Sequence, residues 1–182
     1  MARRGDRITS VRIRGFRSLA DVNLDLQGLS VLIGANGAGK SAVIEAFESL
    51  RYFAGAGATV PEYFREHTRP IRSGSGSFAF EVEIEGEAQA PRLRYELEVY
   101  QSGDGSVGVE KETLDVGPIG DAKEPRRLID RTRGHGRVLD RAKGRLVEVN
   151  RDSSSLLLGR LGHAPAPASE TAVEQVAFRR AA

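Results

Sequence analysis

The sequence predicts a mixed α/β fold, and three observations lead to that prediction. A nearly continuous apolar run, Leu29 to Ile33, leads into a glycine-rich loop. An amphipathic segment from about Lys40 to Tyr52 follows, with its apolar residues at helical spacing. From Ser77 the period changes to two, which is typical of antiparallel strands. We therefore expect a strand, loop and helix followed by an antiparallel β-meander.

Composition limits the classes of protein that need to be considered. The chain has 182 residues, about 40% of them apolar, which is enough for one domain with a real core. It has no cysteine, which excludes disulfides, thiolate–zinc sites and cysteine nucleophiles. No apolar run approaches the roughly 20 residues of a membrane helix, and the first residues lack the apolar region of a secretory signal. We expect a cytoplasmic protein with no membrane partner.

Two amphipathic strands are predicted before the apolar run. In "ITSVRIRGF", Val11 and Ile13 alternate with arginines, and "VNLDL" alternates in the same way after the connection "GFRSLAD". The run Leu29 to Ile33 is apolar at nearly every position instead. That pattern is typical of a strand buried on both faces, as in a parallel sheet.

The chain after the helix is predicted to be mostly β. Glycines at 55 and 57 end the helix, and a loop containing Pro61 and Pro70 follows. Strands are expected around residues 78–84, 92–99 and from Val107. If the "GEAQAP" loop sets Glu85 opposite Arg92, the same register sets Glu83 opposite Arg94.

Beyond Gly117 the patterns are weaker. The stretches "RRLID", "GRVLD" and "RLVEV" fit short strands or helix ends, Leu161 to Ser169 resembles a linker, and the last residues have helical composition. We divide the chain into a phosphate-loop core (residues 1–60), a β-rich subdomain with a basic segment (61–160), and a linker with a truncated C-terminal helix (161–182).

The glycine-rich loop carries the clearest chemical signal. Its pattern, G-x-x-x-x-G-K-S, is that of loops whose backbone N–H groups wrap the phosphates of a nucleotide. The lysine neutralises the β- and γ-phosphates, and the serine hydroxyl binds Mg²⁺. The sequence therefore predicts ATP and Mg²⁺ as cofactors. The predicted binding residues are Gly34, Ala35, Asn36, Gly37, Ala38, Gly39, Lys40 and Ser41, with Ser41 as the metal ligand.

Two other interpretations of the loop are weaker. A glycine-rich surface turn would not require a buried strand before it and an amphipathic helix after it. A dinucleotide-type site is matched loosely by Gly37-x-Gly39-x-x-Ala42, but no acidic residue on a clear second strand follows about 20 residues later.

The residues before the loop indicate which phosphate-loop family is the best match. Residues 7–53 contain a strand ending in "GFRS", a hairpin, and "VLIGANGAGKSAVIEA". This arrangement resembles the N-terminal lobe of ABC-type ATPases of the RecF, SMC and OLD group. The resemblance implies Mg-ATP at the loop and places Phe16-Arg17-Ser18 near the nucleotide. Arg14 and Arg17 are thus candidates for phosphate contact, although a solvent-facing strand position explains them more simply.

The resemblance also implies features that the sequence lacks. Such ATPases need an apolar strand ending in Asp-Glu and a serine-glycine signature, and neither is found. "RRLID" reaches Asp130 after only two apolar residues, and Gln101 and Gln175 are weak candidates for sensing the γ-phosphate. Catalytic residues are therefore unknown. We expect an ATPase first lobe whose hydrolysis needs a missing second lobe, as a truncated gene or a split protein with a partner chain would produce. The complete ATPase is expected to form a homodimer or to pair with a second-lobe partner chain.

Two alternative functions remain open. The chain could be a non-catalytic, nucleotide-dependent switch or dimerisation module. It could also bind nucleic acid through residues 123–145, which carry nine basic and three acidic side chains. DNA is a candidate partner, in a repair or defence context. The three histidines have no metal-binding spacing.

Overall fold

The computed structural model describes residues 7–26, 28–55, 57–86, 91–117, 125–140, 144–150 and 154–158. These residues form one eight-stranded antiparallel sheet and two helices, in a mixed α/β arrangement. The strands are β1 (Arg7–Phe16), β2 (Leu19–Asp25), β3 (Ser77–Glu85), β4 (Leu93–Gln101), β5 (Val107–Val116), β6 (Arg126–Thr132), β7 (His135–Asp140) and β8 (Arg145–Asn150). The helices are α1 (Lys40–Ala54) and α2 (Val60–Glu66).

The order of strands in the sheet is β2-β1-β3-β4-β5-β6-β7-β8. The phosphate-loop region, α1 and α2 thus lie in the one long connection between β2 and β3. The strands predicted from Ser77 onward are β3, β4 and β5, and the weak patterns beyond Gly117 are β6, β7 and β8. The predicted linker and C-terminal helix, residues 161–182, lie outside the described residues.

The predicted helix after the loop is confirmed. It begins at Lys40 and ends at Ala54, and the N–H of Gly55 donates to the carbonyl of Tyr52 at 2.9 Å. The predicted loop around Pro61 is wrong, because α2 forms there. Proline is tolerated in the first turn of a helix, because the N–H that it lacks would have no acceptor within the helix there. Thr59 caps α2, its hydroxyl accepting from the N–H of Glu62 at 3.4 Å.

The prediction of a buried strand at Leu29 to Ile33 is also wrong. This segment belongs to none of the described strands, and the exposed fractions of Leu29, Val31 and Ile33 are 88%, 70% and 91%. A strand apolar on both faces is stable only between neighbouring strands and under covering layers. No described strand pairs with this segment, so the run is left in solvent.

The two helices pack on one face of the sheet, which we call the inner face. It carries buried side chains such as those of Ile13 and Phe80. Phe53 of α1 and Tyr63 of α2 meet there with ring centroids 4.6 Å apart, and both rings also approach Phe78 of β3. This aromatic cluster fixes α1, and with it the end of the glycine-rich loop, against the sheet.

The opposite, outer face carries ion pairs that cross the strands. Arg12 forms a bidentate pair with Asp21 at 2.7 and 2.9 Å, and Arg14 lies 3.0 Å from Glu81. Glu83 is the register partner of Arg94, as predicted. Water screens such exposed cross-strand pairs, so each contributes little to the stability of the sheet. Their main effect is to balance the charge of this face.

A bulge in β5 shifts the alternation of its side chains by one residue and so places a carboxylate on the inner face. Val99 pairs with Val109 but Glu98 pairs with Lys111, so Glu110 is the extra residue. Because of this insertion Glu112, rather than Lys111, points to the inner face and is fully buried. The cross-strand partner of Glu112 on β6 is Arg131, which is also buried.

The carboxylate of Glu112 fixes the segment 154–158 to the sheet. It accepts from the N–H groups of Leu157 and Leu158 at 2.8–3.0 Å and lies 3.4 Å from Arg131 Nη1. The hydroxyl of Tyr95 also donates to it at 3.3 Å. Burial raises the pKa of Glu112, and these hydrogen bonds oppose that rise.

Candidate functional site

The glycine-rich loop is exposed and ends at the first residue of α1. Gly37 and Gly39 have φ angles of +82° and +92°, which lie in the left-handed region. Residues with a side chain adopt that region at a cost of about 1–2 kcal/mol, so the two glycines suit this backbone path. The loop therefore has the conformation that its glycines were expected to permit.

Gly39 also has a steric requirement. A Cβ atom at this position would lie 2.9 Å from Leu19 Cδ2 and 3.5 Å from Ser18 Oγ. The start of α1 is thus packed closely against the turn between β1 and β2. The packing places residues 17–19 beside the loop, which agrees with the proximity that the resemblance implied for this turn.

The N-terminus of α1 presents donors without protein acceptors. Gly39 is its N-cap, no side chain caps the helix, and its first turn contains no acidic residue. Within the described residues, the N–H groups of Gly37 and Gly39 have no hydrogen-bond acceptor. The positive end of the helix dipole lies at the same place. This end of the helix is suited to an anion with several oxygens.

Lys40 brings a cation to the same place. Its Nζ donates to the carbonyl oxygens of Gly34 and Ala35, each at 2.7 Å, so the side chain bends back over the loop. Ser41, the next residue, is exposed, and its hydroxyl has no protein partner among the described residues. A hydroxyl in this position can serve a hard cation, which prefers oxygen ligands.

The two arginines singled out from the sequence have different surroundings. Arg14 lies on the outer face of the sheet, 3.0 Å from Glu81 and 3.7 Å from Glu96. Arg17 lies in the turn beside the loop, with a φ of +50°. It forms an ion pair with Glu45, one turn after Ser41 on α1. The structure therefore brings Arg17, and not Arg14, into contact with the helix that starts at the loop.

The described residues add no metal-binding cluster to the loop. They contain no group of three or more His, Asp or Glu side chains that could hold a metal. Asp130 forms an ion pair with Arg137 at 2.7 Å, and this partner lowers its pKa. Gln101 lies at the end of β4, and Gln175 lies outside the described residues. No sequence pattern singles out Glu45, because its contact with Arg17 joins segments that are distant in sequence.

Part of the positive charge of the basic segment 123–145 is neutralised by carboxylates of β5 and β6. Four of its arginines form ion pairs with carboxylates of these strands, and one of the four is fully buried. The pairs are Arg127 with Asp115, Arg131 with Glu112, Arg133 with Glu110 and Arg137 with Asp130. This pairing weakens the case for the segment as a nucleic-acid surface, which needs free cations.

Comparison with known proteins agrees with the loop geometry. Residues 7–74 match the family described as AAA ATPase domain. The match covers β1, β2, the glycine-rich loop and both helices, and it supports an ATP-binding module of ATPase type in this part of the chain. No curated protein matches the chain. Neither helix of the described residues is long and apolar enough to cross a membrane.

Proposed function

We propose that the chain is the nucleotide-binding first lobe of a cytoplasmic ATPase similar to the RecF, SMC and OLD group. It would hold Mg-ATP at the loop Gly34 to Ser41. The observation that carries the proposal is the coincidence of three features at one helix end. Two glycines have left-handed torsions, Lys40 lies over the loop, and the N-terminus of α1 has neither a cap nor an acidic residue.

These residues fit a triphosphate with its magnesium ion. The N–H groups from Gly37 to Ser41 would bind phosphate oxygens, and Lys40 would leave the carbonyl of Gly34 to reach them. Ser41 offers one protein oxygen, in keeping with the way Mg²⁺ takes most of its ligands from phosphates and water. When bound, Mg-ATP supplies a transferable γ-phosphoryl group, which ADP lacks. The chain's own residues bind and orient it.

The exposed apolar run supports the proposal of a missing second lobe. The large apolar side chains that the described residues leave exposed are Leu29, Val31, Leu32, Ile33 and Ile44. All of them lie in the segment just before the glycine-rich loop or in the first turns of α1. Such a cluster marks an interface. We propose that strands of a second lobe, from a partner chain or a further segment, cover it and bring the catalytic carboxylates.

Calorimetry tests the proposal. Titration with ATP and magnesium should give measurable binding to the wild type, and Lys40→Ala should weaken it roughly tenfold or more through loss of a charged contact. Lys111→Ala, which removes a lysine paired with Glu96, is the matched control and should bind as the wild type does. Equal binding by Lys40→Ala and the wild type would overturn the proposal.

A non-catalytic switch is the second candidate. It is favoured by the absence, among the described residues, of a cluster of acidic or histidine side chains that could hold a catalytic metal ion. Both candidates predict ATP binding and negligible turnover by the chain alone. They differ once the missing strands are supplied, because only the ATPase lobe should then hydrolyse ATP. Ordinary turnover by the isolated chain, lost in Lys40→Ala, would contradict both. The role of DNA remains a prediction from the resemblance.

A further inference from the structure

A cavity away from the glycine-rich loop is a second candidate site. It has a volume of about 390 Å³ and is formed by α2, the chain that follows it and the turn between β4 and β5. Its volume falls in the range of small-molecule sites. Residues that line it include Phe64, Arg65, His67, Arg69, Pro70 and Gln101. None of the described residues that line it has a carboxylate.

The cations of this cavity differ from most arginines of the chain. Arg12 and Arg14 of the outer face and four arginines of segment 123–145 pair with carboxylates. Among the described residues, Arg65 and Arg69 form no ion pair, and both are exposed. The carboxylates nearest in sequence, Glu62, Glu66 and Asp104, lie outside the lining and form no ion pair with Arg65 or Arg69 among the described residues. The two guanidinium groups are therefore available to an anion.

The backbone of Arg69 is held in place on both sides. Its φ is +53°, a conformation that a residue with a side chain adopts only when its surroundings impose it. Here the surroundings are Arg17, whose N–H donates to the carbonyl of Pro70 at 2.8 Å and whose Nη1 donates to that of Thr68 at 3.2 Å. Arg69 is thus a cation on a fixed backbone, which reduces the entropy lost when it binds an anion.

The cavity also offers aromatic and amide groups. His67 packs on Tyr63 with ring centroids 4.2 Å apart and an interplanar angle of 16°. Its Nδ1 lies 3.1 Å from the carbonyl of Tyr63, so Nε2 is the ring atom left for a ligand. Phe64 adds an apolar ring and Gln101 an amide. A ligand with a planar ring and an anionic group would use all of these features.

We propose that this cavity binds a nucleotide unit, meaning a base with its phosphate, either free or within a single strand. Arg65 and Arg69 contact the phosphate, and the rings of Phe64 and His67 contact the base. Arginine and aromatic side chains together are the combination that single-stranded nucleotides require. The site does not involve the glycine-rich loop, so it stands or falls independently of the proposed ATP site.

The histidine rings allow a direct test. The chain has three histidines, and the ring signal of His67 can be assigned in a proton–carbon NMR spectrum with His67→Gln. The titrations use full-length Lys40→Ala protein, so that binding at the loop does not contribute. The probes are AMP and a short single-stranded oligothymidylate. We expect the His67 signal to shift and the His135 signal to stay. A shift with AMP identifies a free nucleotide, and a shift with the oligonucleotide alone identifies a unit within a strand.

Charge-matched variants complete the test. Arg65→Ala and Arg69→Gly should each weaken binding roughly tenfold, the effect of one charge-assisted hydrogen bond. Glycine suits the torsion of Arg69, so the second variant should fold, and Arg65 is exposed. Arg145→Ala, an exposed position on β8, should bind as its parent does. The proposal is overturned if neither probe shifts His67, if Arg145→Ala weakens binding equally, or if polyglutamate competes as well as AMP.

Discussion

Arg17, in the turn between β1 and β2, forms an ion pair with Glu45 of α1, one helical turn beyond the residue proposed to bind magnesium. The same guanidinium donates to the carbonyl of Thr68 at 3.2 Å. Arg17 therefore joins three segments: the turn, the helix that starts at the loop and the chain after α2. Its side chain is 30% exposed and that of Glu45 is 40% exposed, so water screens the pair in part.

We predict that Arg17 and Glu45 are coupled. In a double-mutant cycle with Arg17→Ala and Glu45→Ala, chemical denaturation should give a coupling free energy of about 0.5–1 kcal/mol, as expected for a partly screened pair. Arg12→Ala with Glu45→Ala is the control cycle, because Arg12 pairs with Asp21 instead. It should give no coupling. Strict additivity in the first cycle would show that the contact contributes nothing.

Gly39→Ala is expected to destabilise the protein for two separable reasons. The left-handed torsion costs about 1–2 kcal/mol for alanine, and the new Cβ meets Leu19 Cδ2 at 2.9 Å. Gly74→Ala is the control, because Gly74 has a φ of +84° and no atom within 4 Å of an added Cβ. Denaturant unfolding should give a larger loss for Gly39→Ala than for Gly74→Ala. Equal losses of unfolding free energy would mean that the Leu19 side chain moves away from the new Cβ without cost.

Glu112→Ala should cost much more stability than a neighbouring change on β5. It removes the acceptor of the Leu157 and Leu158 N–H groups and leaves the buried Arg131 without its carboxylate. Losses of this kind are on the order of 3 kcal/mol. Glu110→Ala, which breaks the exposed pair with Arg133, should lose far less, because water screens that pair. A small loss for Glu112→Ala would show that segment 154–158 is held by other contacts.

The raised pKa of Glu112 gives a pH dependence of known sign. The folded state then holds this proton more tightly than the unfolded state, so stability falls as pH rises through the raised pKa and is fully present below the ordinary value. Glu112→Gln cannot titrate and lacks this slope. The unfolding free energy of the wild type minus that of Glu112→Gln should therefore decrease from about pH 4 towards neutrality. An increase over that range would mean that the hydrogen bonds outweigh burial.

Because the apolar run is exposed, we predict that it tolerates a polar substitution that a core position would not. In the isolated chain, Ile33→Ser should change the unfolding free energy by less than about 0.5 kcal/mol, because Ile33 is 91% exposed. Val11→Ser, at a fully buried position of β1, is the comparison and should lose several times more. A large loss for Ile33→Ser would place this side chain in a core and remove support for a missing second lobe.

Periodic patterns in the sequence correctly predicted the elements that have one buried and one exposed side. The alternation in β1 and β3 and the spacing in α1 are visible in the sequence because each element has one inner face. The apolar run at Leu29 to Ile33 led to a wrong prediction of a buried strand. Burial of such a strand depends on neighbouring strands, which the described residues do not provide. The burial of Glu112 depends on the bulge at Glu110, which shifts the alternation of side chains in β5 by one residue. No window of sequence contains that information.

The same distinction holds for the candidate site. The glycine torsions and the position of Lys40 follow from a motif of eight adjacent residues, so the sequence was sufficient to propose them. The contacts of Arg17 with Glu45 and of Leu19 with Gly39 join segments distant in sequence, and only the fold reveals them. The second cavity, formed by α2 and the β4–β5 turn, could not be anticipated because α2 itself was missed.

The most direct test of the central claim is a titration of isotope-labelled protein with Mg-ATP, followed through its backbone amide NMR signals. If the loop binds phosphates through its main chain, the amide signals of Gly37, Gly39, Lys40 and Ser41 should show the largest shifts. The same signals should hardly respond in Lys40→Ala. Saturating Mg-ATP that leaves these four amides unmoved in folded wild-type protein, or that moves only signals elsewhere, would contradict the account.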